Sequence, residues 1–349
     1  MPPDKSEAQS GPSPPRSWRL LSLCAWLTCG AAACAIAVAA LWRDDLGPAA
    51  GRHLALHYLA FFAATFRYHA GLALLPVAVF AMATRRRRLL LVAMVAATVG
   101  AGPEVLLIRP RSGEGGPPAP PGLTIMSVNL MYGRTSVPSL MREINAADPD
   151  VIVFQEWTPG ASSALVGRLT GKWPHMVEQS RDDAFGQAVF SRIAFAEPPR
   201  LYPPVGSWTE PQITVAVPVA ERTMRITNVH VLPPISLDYF VVQRSMSRSL
   251  AEWAAAETGP HVLIGDFNAV RGSGVLRAFT GAGFRDAHEA VGDWRGSTWP
   301  RIGWLRWAPG IQLDHALIGR GAAPLRARTL PDVGSDHRPV VVRVGWSAP

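Results

Sequence analysis

The chain has 349 residues, a formal net charge of +8 and a composition that changes sharply along its length. A chain of this length suggests two domains, or one large domain with an appended segment. Residues 1–108 contain 10 Lys and Arg against 5 Asp and Glu, whereas residues 109–349 contain 24 against 21. Because a nucleic-acid-binding domain usually has a clear excess of basic residues, the near balance over residues 109–349 argues against nucleic acid as the main ligand.

All three cysteines, Cys24, Cys29 and Cys34, fall within the first apolar stretch. Their spacing fits no zinc motif. Residues 35–349 contain no cysteine, which suits a domain outside the cytoplasm that avoids stray disulfides, although cytosolic domains can lack cysteine too.

Three apolar stretches follow a short N-terminal tail, residues 1–17, that we expect in the cytoplasm. They are long enough to cross a bilayer, and we predict transmembrane helices at residues 18–42, 68–84 and 89–108. The second stretch begins earlier, but Arg67 and His69 interrupt it, so residues 54–66 are expected near the membrane interface. Membrane lipids are therefore the first partners that the sequence predicts.

Basic residues predict the orientation of these helices, because Lys and Arg concentrate on the cytoplasmic side of the membrane. Lys5, Arg16 and Arg19 lie before or at the start of the first helix, and the run Arg85–Arg88 lies between the second and the third. We therefore expect a multi-pass protein of the cytoplasmic membrane with residues 109–349 on the extracytoplasmic side. The alternative is a cleaved signal peptide, since residues 37–39 offer small side chains for a cleavage site.

Residues 109–122 are rich in Pro and Gly, which predicts a linker that tethers a soluble domain, residues 123–349, close to the bilayer. This domain contains many short apolar runs and few amphipathic helices. The predicted strands are 123–129, 150–155, 187–190, 213–219, 224–230, 261–265, 312–318 and 339–344, and the predicted helices are 136–147, 237–256 and 273–281. Strands outnumber helices without a strict βαβ order, so we predict two packed sheets flanked by helices.

Polar and acidic residues stand where these predicted strands end, as in sites that loops build on a rigid scaffold. A single Asp or Asn in such a position often only caps a turn, but here the pattern recurs at six strands. The residues are Asn129, Glu156, His230, Asp266 with Asn268, Asp314, and Asp336 with His337. We therefore expect them to form one site.

Five short motifs around these residues make the pattern specific. They are SVN at 127–129, FQE at 154–156, GDFNA at 265–269, LDHALIG at 313–319 and GSDHRPVVV at 334–342. In order and approximate spacing they resemble the endonuclease/exonuclease/phosphatase superfamily, which includes deoxyribonuclease I and bacterial sphingomyelinases. The resemblance implies metal-dependent hydrolysis of a phosphoester. It also implies that residues 123–349 form a four-layer α/β sandwich, two packed mixed β-sheets flanked by helices, here preceded by three transmembrane helices.

The resemblance implies a divalent metal ion held by Glu156, Asn129 and Asp336, with Asn129 also close to the substrate. Phosphoester hydrolysis needs neutralisation of the charge on the phosphoryl oxygens, which a bound cation supplies. Carboxylate and amide oxygens suit Mg²⁺. Mn²⁺ and Ca²⁺ accept the same ligands, so the choice among the three ions stays open.

The same resemblance implies the catalytic roles. Asp266 would orient and deprotonate the attacking water, and Asn268 would bind a phosphate oxygen or steady that base. His337 would bind the phosphoryl group as an imidazolium, with Asp314 on its other nitrogen. His230 matches a position that assists the leaving group in nucleases of the superfamily.

Two further features bear on the substrate. The segment Val231–Pro234 and the helix after it resemble membrane-bound bacterial members, among them proteins associated with teicoplanin resistance, which would imply a lipid-linked or other envelope phosphoester. Residues 294–309 contain four Trp and three Arg, a combination that suits a lipid headgroup interface. We predict that Trp304 and Trp307 help a lipid substrate to reach the site. The alternative is ordinary packing of these rings in the core and on the surface.

Three classes of function remain open. The favoured one is a membrane-anchored phosphatase or phosphodiesterase acting outside the cytoplasmic membrane on a lipid-linked or other envelope phosphoester. The second is a membrane-tethered endonuclease or exonuclease acting on extracytoplasmic nucleic acid, and the third is a catalytically silent binding module. A soluble phosphorylated metabolite is a further possible substrate for a hydrolase. A site that faces the membrane would favour the first class over the second, and the sequence predicts no oligomeric state.

Overall fold

A computed structural model of the protein describes residues 16–41, 53–106, 122–202, 212–291 and 296–347. The predicted tail up to residue 15, the predicted linker from 109 to 121, and Trp294 lie outside the described residues. The described part of the chain begins with a group of apolar helices and continues into a sandwich of two β-sheets.

Four apolar helices come first: α1 (Arg16–Leu41), α2 (Leu54–Thr65), α3 (Arg67–Ala83) and α4 (Arg87–Leu106). Small residues let α3 and α4 pack closely, since a Cβ added to Gly71 would lie 2.7 Å from the backbone nitrogen of Ala101. Away from this contact the helices expose large apolar side chains, among them Leu27, Leu75, Val79, Met82, Leu91 and Val95. So much exposed apolar surface indicates an apolar environment around the helices.

Of the three predicted transmembrane helices only the first is confirmed as a candidate span, because within the described residues only α1 meets the length and hydropathy of a membrane span by itself. The predicted span at 68–84 corresponds to α3, whose 17 residues reach roughly 25 Å, short of the ~30 Å of hydrocarbon in a bilayer. Helix α3 meets the length and hydropathy of a span only together with α2, and the two helices are bent by 61° relative to each other. The predicted span at 89–108 corresponds to α4, which begins with two Arg and contains Pro103 near its end.

Twelve strands follow in the described part of the chain, interleaved with five helices. The strands are β1 (Gly122–Asn129), β2 (Val151–Gln155), β3 (His175–Gln179), β4 (Gln187–Ser191), β5 (Arg200–Tyr202), β6 (Gln212–Val219), β7 (Arg222–His230), β8 (His261–Asp266), β9 (Arg285–Asp286), β10 (Asp314–Ile318), β11 (Ala322–Thr329) and β12 (Val340–Trp346). The helices are α5 (Val137–Ala147), α6 (Pro159–Leu169), α7 (Leu237–Ala256), α8 (Gly274–Gly281) and α9 (Ala287–Val291).

The strands form two six-stranded sheets with the orders β11-β12-β1-β2-β4-β3 and β5-β6-β7-β8-β10-β9. Both sheets are mixed, since β1 pairs with β2 and β7 with β8 in parallel while the other pairs are antiparallel. The predicted pair of packed, mixed sheets with flanking helices is therefore confirmed.

The core lies between the two sheets, because alternate residues of each strand point to the same face. Ile125 and Val153 of the first sheet pack there with Val215 and Ile264 of the second. The opposite faces are covered by helices, with Leu140 of α5 on the first sheet and Phe240 of α7 on the second. Helix, sheet, sheet and helix give the four layers.

The strand registers place the polar strand ends at one edge of the sandwich. In the first sheet Asn129 pairs with Gln155, directly before Glu156. In the second sheet Asp266 lies between His230 on one side and Asp314 on the other. Residues that are far apart in sequence are thus brought together by pairing alone.

Candidate active site

Asp266 lies at the centre of the site, at the end of β8 and almost completely buried. Its two carboxylate oxygens accept hydrogen bonds from the side-chain amide of Asn129, at 3.1 Å, and from the backbone N–H of Asn268, at 2.8 Å. Burial raises the pKa of Asp266 to about 6, against the opposing effect of His337. A carboxylate with a pKa near neutrality that still ionises at pH 7 has the properties of a general base.

His337 and Asp314 form a hydrogen-bonded pair beside Asp266. The Nδ1–H group of His337 donates to Asp314 Oδ2 at 2.7 Å, and its Nε2 lies 3.7 Å from Asp266 Oδ2. Burial by itself would lower the pKa of His337, but the two carboxylates outweigh it and raise that pKa to about 10. His337 is therefore an imidazolium at neutral pH, held in one orientation by Asp314.

Glu156 occupies the first-sheet side of the site with its backbone in the left-handed region, at φ 56°. Its carboxylate accepts hydrogen bonds from Asn129 Nδ2, at 3.1 Å, and from the backbone N–H of Tyr132, at 2.9 Å. Burial raises the pKa of Glu156, and the Asp336 carboxylate raises it further. A non-glycine residue held in this conformation is a feature that clusters at functional sites.

The residues on this side fit a divalent cation. Glu156 and Asp336 both offer carboxylate oxygens, the ligands that suit a divalent cation, and Asp336 lies near enough to Glu156 to act on its pKa. Asn129 is arranged differently from the prediction, because its oxygen accepts from the N–H of Met131 while its NH₂ group faces Glu156 and Asp266. In this arrangement Asn129 orients the two carboxylates, and its role as a metal ligand stays a prediction.

A second group of possible metal ligands is formed by Asp266, Asp314 and His337, whose donor atoms lie within 4.8 Å of one another. Its chemistry fits an ion less well. A metal ligand must be the neutral imidazole, whereas the carboxylates around His337 raise its pKa to about 10. The hydrogen bond from His337 to Asp314 also uses the Nδ1 atom. This group therefore fits the predicted roles in proton transfer and phosphoryl binding better than an ion, and the cation at Glu156 and Asp336 stays a prediction.

Asn268 and His230 complete the set of predicted catalytic residues. Asn268 has φ 47°, and its amide NH₂ group donates to Val231 O at 2.9 Å, which ties the loop after β8 to the loop after β7. His230 is buried with its Nε2 atom 3.8 Å from Asp266 Oδ2. Burial lowers the pKa of His230, so its ring is neutral at pH 7 while the ring of His337 is charged.

Buried amide side chains beneath these residues were missed by the sequence analysis. Gln212 Oε1 accepts from the backbone N–H of His230 at 2.6 Å and from Gln187 Nε2 at 3.0 Å. Gln155 Nε2 donates to Asn228 Oδ1 at 2.6 Å, which joins the two sheets directly behind Glu156. Gln155 stands inside the motif FQE at 154–156, and Gln187 and Asn228 stand in the shorter runs GQAVFSR at 186–192 and TNVH at 227–230, so their position there was the available signal. No such signal marks Gln212.

A buried ion pair also supports the catalytic loop. The Nδ1 atom of His315 lies 2.5 Å from Asp286 Oδ2, and its Nε2 atom lies 2.9 Å from Ala269 O. Both ring nitrogens of His315 therefore face an oxygen acceptor. Burial would raise the pKa of Asp286, but the hydrogen bond and the charge of His315 lower it. The pair holds the chain in place three residues after Asp266.

The loop that carries the two predicted lipid-facing tryptophans borders the site. We name residues 302–307 the aromatic lip; its short 3-10 helix spans Gly303–Trp307. Trp304 is 77% exposed and Trp307 is 85% exposed. Just before the lip, the N–H group of Arg301 donates to Asp336 O at 2.8 Å, so the lip is anchored on the loop of Asp336 and His337. The tryptophans do not enter the cleft in this structure, and their contact with substrate stays a prediction.

Two packed sheets, with carboxylates and histidines gathered at one edge, define a hydrolase of the α/β sandwich class. The model of the "Endonuclease/Exonuclease/phosphatase family" matches residues 126–337. The chain belongs to this family, and the protein is accordingly a metal-dependent phosphoesterase or nuclease. No match to a curated protein was found. The predicted resemblance to teicoplanin-resistance proteins therefore gains no support from the comparisons.

Solved structures show the same fold at low sequence identity. A "functionally unknown conserved protein" from Enterococcus faecalis V583 has a TM-score of 0.52 and 16% identity, covering 64% of this chain and 100% of its own. Humanized D. rerio TDP2 has a TM-score of 0.53 and 18% identity, covering 64% of this chain and 99% of its own. An endonuclease/exonuclease/phosphatase from Beutenbergia cavernae DSM 12333 has a TM-score of 0.50 and 17% identity, covering 66% of this chain and 72% of its own. At these identities the similarity establishes the fold alone.

Proposed function

We propose that the protein is a membrane-anchored phosphoester hydrolase that acts on a lipid-linked phosphoester outside the cytoplasmic membrane. One observation carries this proposal: the loops that border the catalytic residues pack against the apolar N-terminal helices. A cleft placed in this way takes its substrate most readily from the bilayer in which those helices lie.

The first contact joins α2 to the loop after His230. The hydroxyl of Tyr58 donates to Pro234 O at 3.0 Å. The rings of Tyr58 and Phe61 lie 5.4 and 5.8 Å from the ring of Phe240, at the start of α7. Aromatic contacts at these distances add to the stabilisation that apolar burial provides. The segment that begins at His230 is thus held on the helix that we expect at the membrane interface.

The second contact joins α3 to the base of the aromatic lip. The Nε2–H group of His69 donates to Pro309 O at 2.5 Å, and His69 is the third residue of α3. Because Pro309 follows the lip directly, the exposed rings of Trp304 and Trp307 project from a segment that is attached to this helix. Tryptophan is enriched where protein meets the headgroup region of a bilayer, which supports the proposed location of the lip.

The membrane attachment itself rests on α1 and on the bent pair of α2 and α3. Helix α1 has the length and hydropathy of a span, and the bent pair passes the same test as one broken span. The basic run Arg85–Arg88 follows α3 and favours a cytoplasmic position for that end. The opposite end of α3 carries the contacts to the catalytic domain, which would then lie outside the cytoplasm, with α4 (Arg87–Leu106) leading the chain back to that side.

Each residue of the site has a separate role in the proposed reaction. A divalent cation at Glu156 and Asp336, when bound, would neutralise charge on the phosphoryl oxygens. Asp266 accepts the proton of the attacking water, because its pKa of about 6 suits a base at neutral pH. His337 donates its Nε2–H group to a phosphoryl oxygen. His230 lies on the other side of Asp266 and is the predicted hydrogen-bond donor to the leaving oxygen.

Phosphate release by the full-length protein in detergent with Mg²⁺ tests the proposal, using undecaprenyl pyrophosphate and plasmid DNA as the two probes. We expect phosphate from the lipid, no cleavage of DNA, and loss of the lipid reaction in Asp266→Asn. Cleaved DNA with untouched lipid would contradict the proposed substrate and make the protein a tethered nuclease. A reporter fused to residue 349 tests the orientation separately, and reporter activity confined to the cytoplasm would contradict an extracytoplasmic site.

A further inference from the structure

A cavity of about 110 Å³ lies between the N-terminal helices and the catalytic domain, outside the cleft. It is lined from the helices by Ala39 of α1, Ala64 and Thr65 of α2, and Arg67 and Tyr68 of α3, and from the catalytic domain by Val270, Arg271, Gly272, Ile311 and Gln312. At ~30 Å³ for each water, this volume corresponds to about three or four water molecules. A phosphate group, with one phosphorus and four oxygens, needs a comparable space.

The charge of this cavity is one-sided. Two arginines, Arg67 and Arg271, line it from opposite sides, and none of the described residues that line it is acidic. Within the described residues no hydrogen bond or ion pair involves the side chain of Arg67. Arg67 and Tyr68 are also the first residues of α3, where the helix dipole favours an anion. Two guanidinium groups facing one small cavity indicate a ligand that carries negative charge.

The position of the cavity indicates the source of this ligand. It lies at the bend between α2 and α3. A neighbouring cavity of about 340 Å³ shares Arg67 and Arg271 with it, reaches Pro103 near the end of α4, and is also lined by Arg277, Asp286 and Glu289. From this level the apolar residues Leu75, Val79 and Met82 extend along α3 towards its other end. In the proposed orientation the two arginines lie at the headgroup level of the outer leaflet, directly above the exposed apolar surface.

We propose that this cavity is a binding site for the phosphate of an anionic lipid headgroup, separate from the catalytic cleft. The phosphate contacts Arg67 from the membrane helices and Arg271 from the catalytic domain, so one bound lipid fastens the two parts together. The inference rests on the membrane attachment in the proposed function but not on the identity of the substrate. Inorganic phosphate carries the same chemical group, and the test below separates the two sources.

A bound phosphate would also be connected to the cleft. Arg271 donates from Nη2 to Gln312 Oε1 at 2.6 Å, and Gln312 Nε2 donates to Asp314 O at 3.2 Å. Asp314 in turn orients His337. Arg271 therefore acts as a positioning residue for the end of β10, and the lipid that binds it steadies the loop on which the catalytic pair depends.

Native mass spectrometry of the full-length protein tests the site, with phosphatidylglycerol or inorganic phosphate added to the detergent-solubilised protein. The Asp266→Asn variant is used throughout, so that the result does not depend on turnover. We expect one tightly retained phosphatidylglycerol and a rise in Tm of ~3 °C or more, with little effect of inorganic phosphate. Equal stabilisation by inorganic phosphate at the same concentration would overturn the lipid as the source.

The variants Arg67→Gln and Arg271→Gln remove one charge each from opposite sides of the cavity, and we expect both to lose at least tenfold in lipid retention. The matched control is Arg85→Gln, which removes the same charge at the other end of α3 and should retain the lipid. Gel filtration checks that each variant is folded. Retention that is unchanged in both cavity variants would overturn the proposal, because a lipid held in the cleft or on the outer helix faces would survive them.

Discussion

The floor and the rim of the cleft are built in different ways. The floor consists of Asn129, Glu156, Asp266, Asp314 and His337, which lie at strand ends or directly beside them. Hydrogen bonds join Asn129 to Glu156 and Asp266, and His337 to Asp314. The rim consists of the loop after His230, the aromatic lip and their contacts with α2 and α3, and its largest side chains are exposed. In the proposed function the floor carries the reaction, whereas the rim selects the molecules that reach it. A family match over residues 126–337 contains no part of α2 or α3.

The largest expected effect is at the centre of the floor. Asp266→Asn keeps the shape of the side chain but removes the base, and we expect a loss of at least ~10³-fold in kcat on every substrate. Initial rates on a lipid substrate and on a soluble phosphoester check this. The control is Glu221→Gln, an exposed carboxylate between β6 and β7, which should keep the wild-type rate. If the Asp266→Asn variant retained a tenth of the activity, Asp266 would not be the catalytic base.

A smaller effect is expected at Asp314, which acts through His337. Asp314→Asn removes the charge that raises the pKa of His337, so that pKa falls and the imidazolium is lost at lower pH. We expect ~10²-fold lower kcat at pH 7, with the alkaline limb of the pH–rate profile displaced by at least ~1 pH unit towards acid. A reduced rate with an unmoved alkaline limb would mean that Asp314 supports only the fold.

Substitutions at the rim should lower the rate on lipid substrates alone rather than abolish the reaction on every substrate. Replacing Trp304 and Trp307 together by Ala is expected to lower the rate on a lipid substrate in vesicles about tenfold. The rate on a soluble phosphoester should change less than twofold. Since both rings are largely exposed, the free energy of unfolding should change by less than ~0.5 kcal/mol for each. Equal losses on the two substrates would contradict a lip that acts at the membrane.

The smallest effect is expected where the rim is attached to α2. Tyr58→Phe keeps the ring contacts with Phe240 but removes the hydrogen bond to Pro234, which contributes about 1 kcal/mol. We expect a two- to fivefold loss on the lipid substrate alone, with faster hydrogen exchange in the segment after His230. Tyr239→Phe, on the exposed face of α7, is the matched control. Unchanged exchange in Tyr58→Phe would show that the contact does not hold this segment.

Much of the floor was predictable from the sequence, because its residues follow apolar strands that are easy to recognise. The sheets were predictable for the same reason, but the edge strands were not. β5 has three residues and β9 has two, and β11 contains Pro324, Arg326 and Arg328, so none shows a clear strand pattern. These strands form only because a neighbouring strand supplies their hydrogen bonds.

Other parts depend on contacts between distant segments, which a single sequence does not reveal. Gln212 is positioned under His230 by the pairing of β6 with β7. The orientation of the Asn129 amide follows from the turn at Met131 and Tyr132, both with positive φ. The helices were predicted from hydropathy alone, which is why the bend at the end of α2 and its contact with the catalytic domain were not foreseen.

One measurement tests the central claim most directly, namely that the cleft takes its substrate from the bilayer that anchors the protein. In one arrangement the wild-type protein is placed in vesicles that contain the lipid phosphoester. In the other, at the same bulk concentrations, the protein is mixed with separate vesicles that contain the lipid phosphoester. The rate measured with Asp266→Asn is subtracted from each. Because anchoring in one membrane raises the effective concentration, we predict at least ~10²-fold faster phosphate release when protein and substrate share a bilayer. Equal rates in the two arrangements would contradict a membrane-facing cleft.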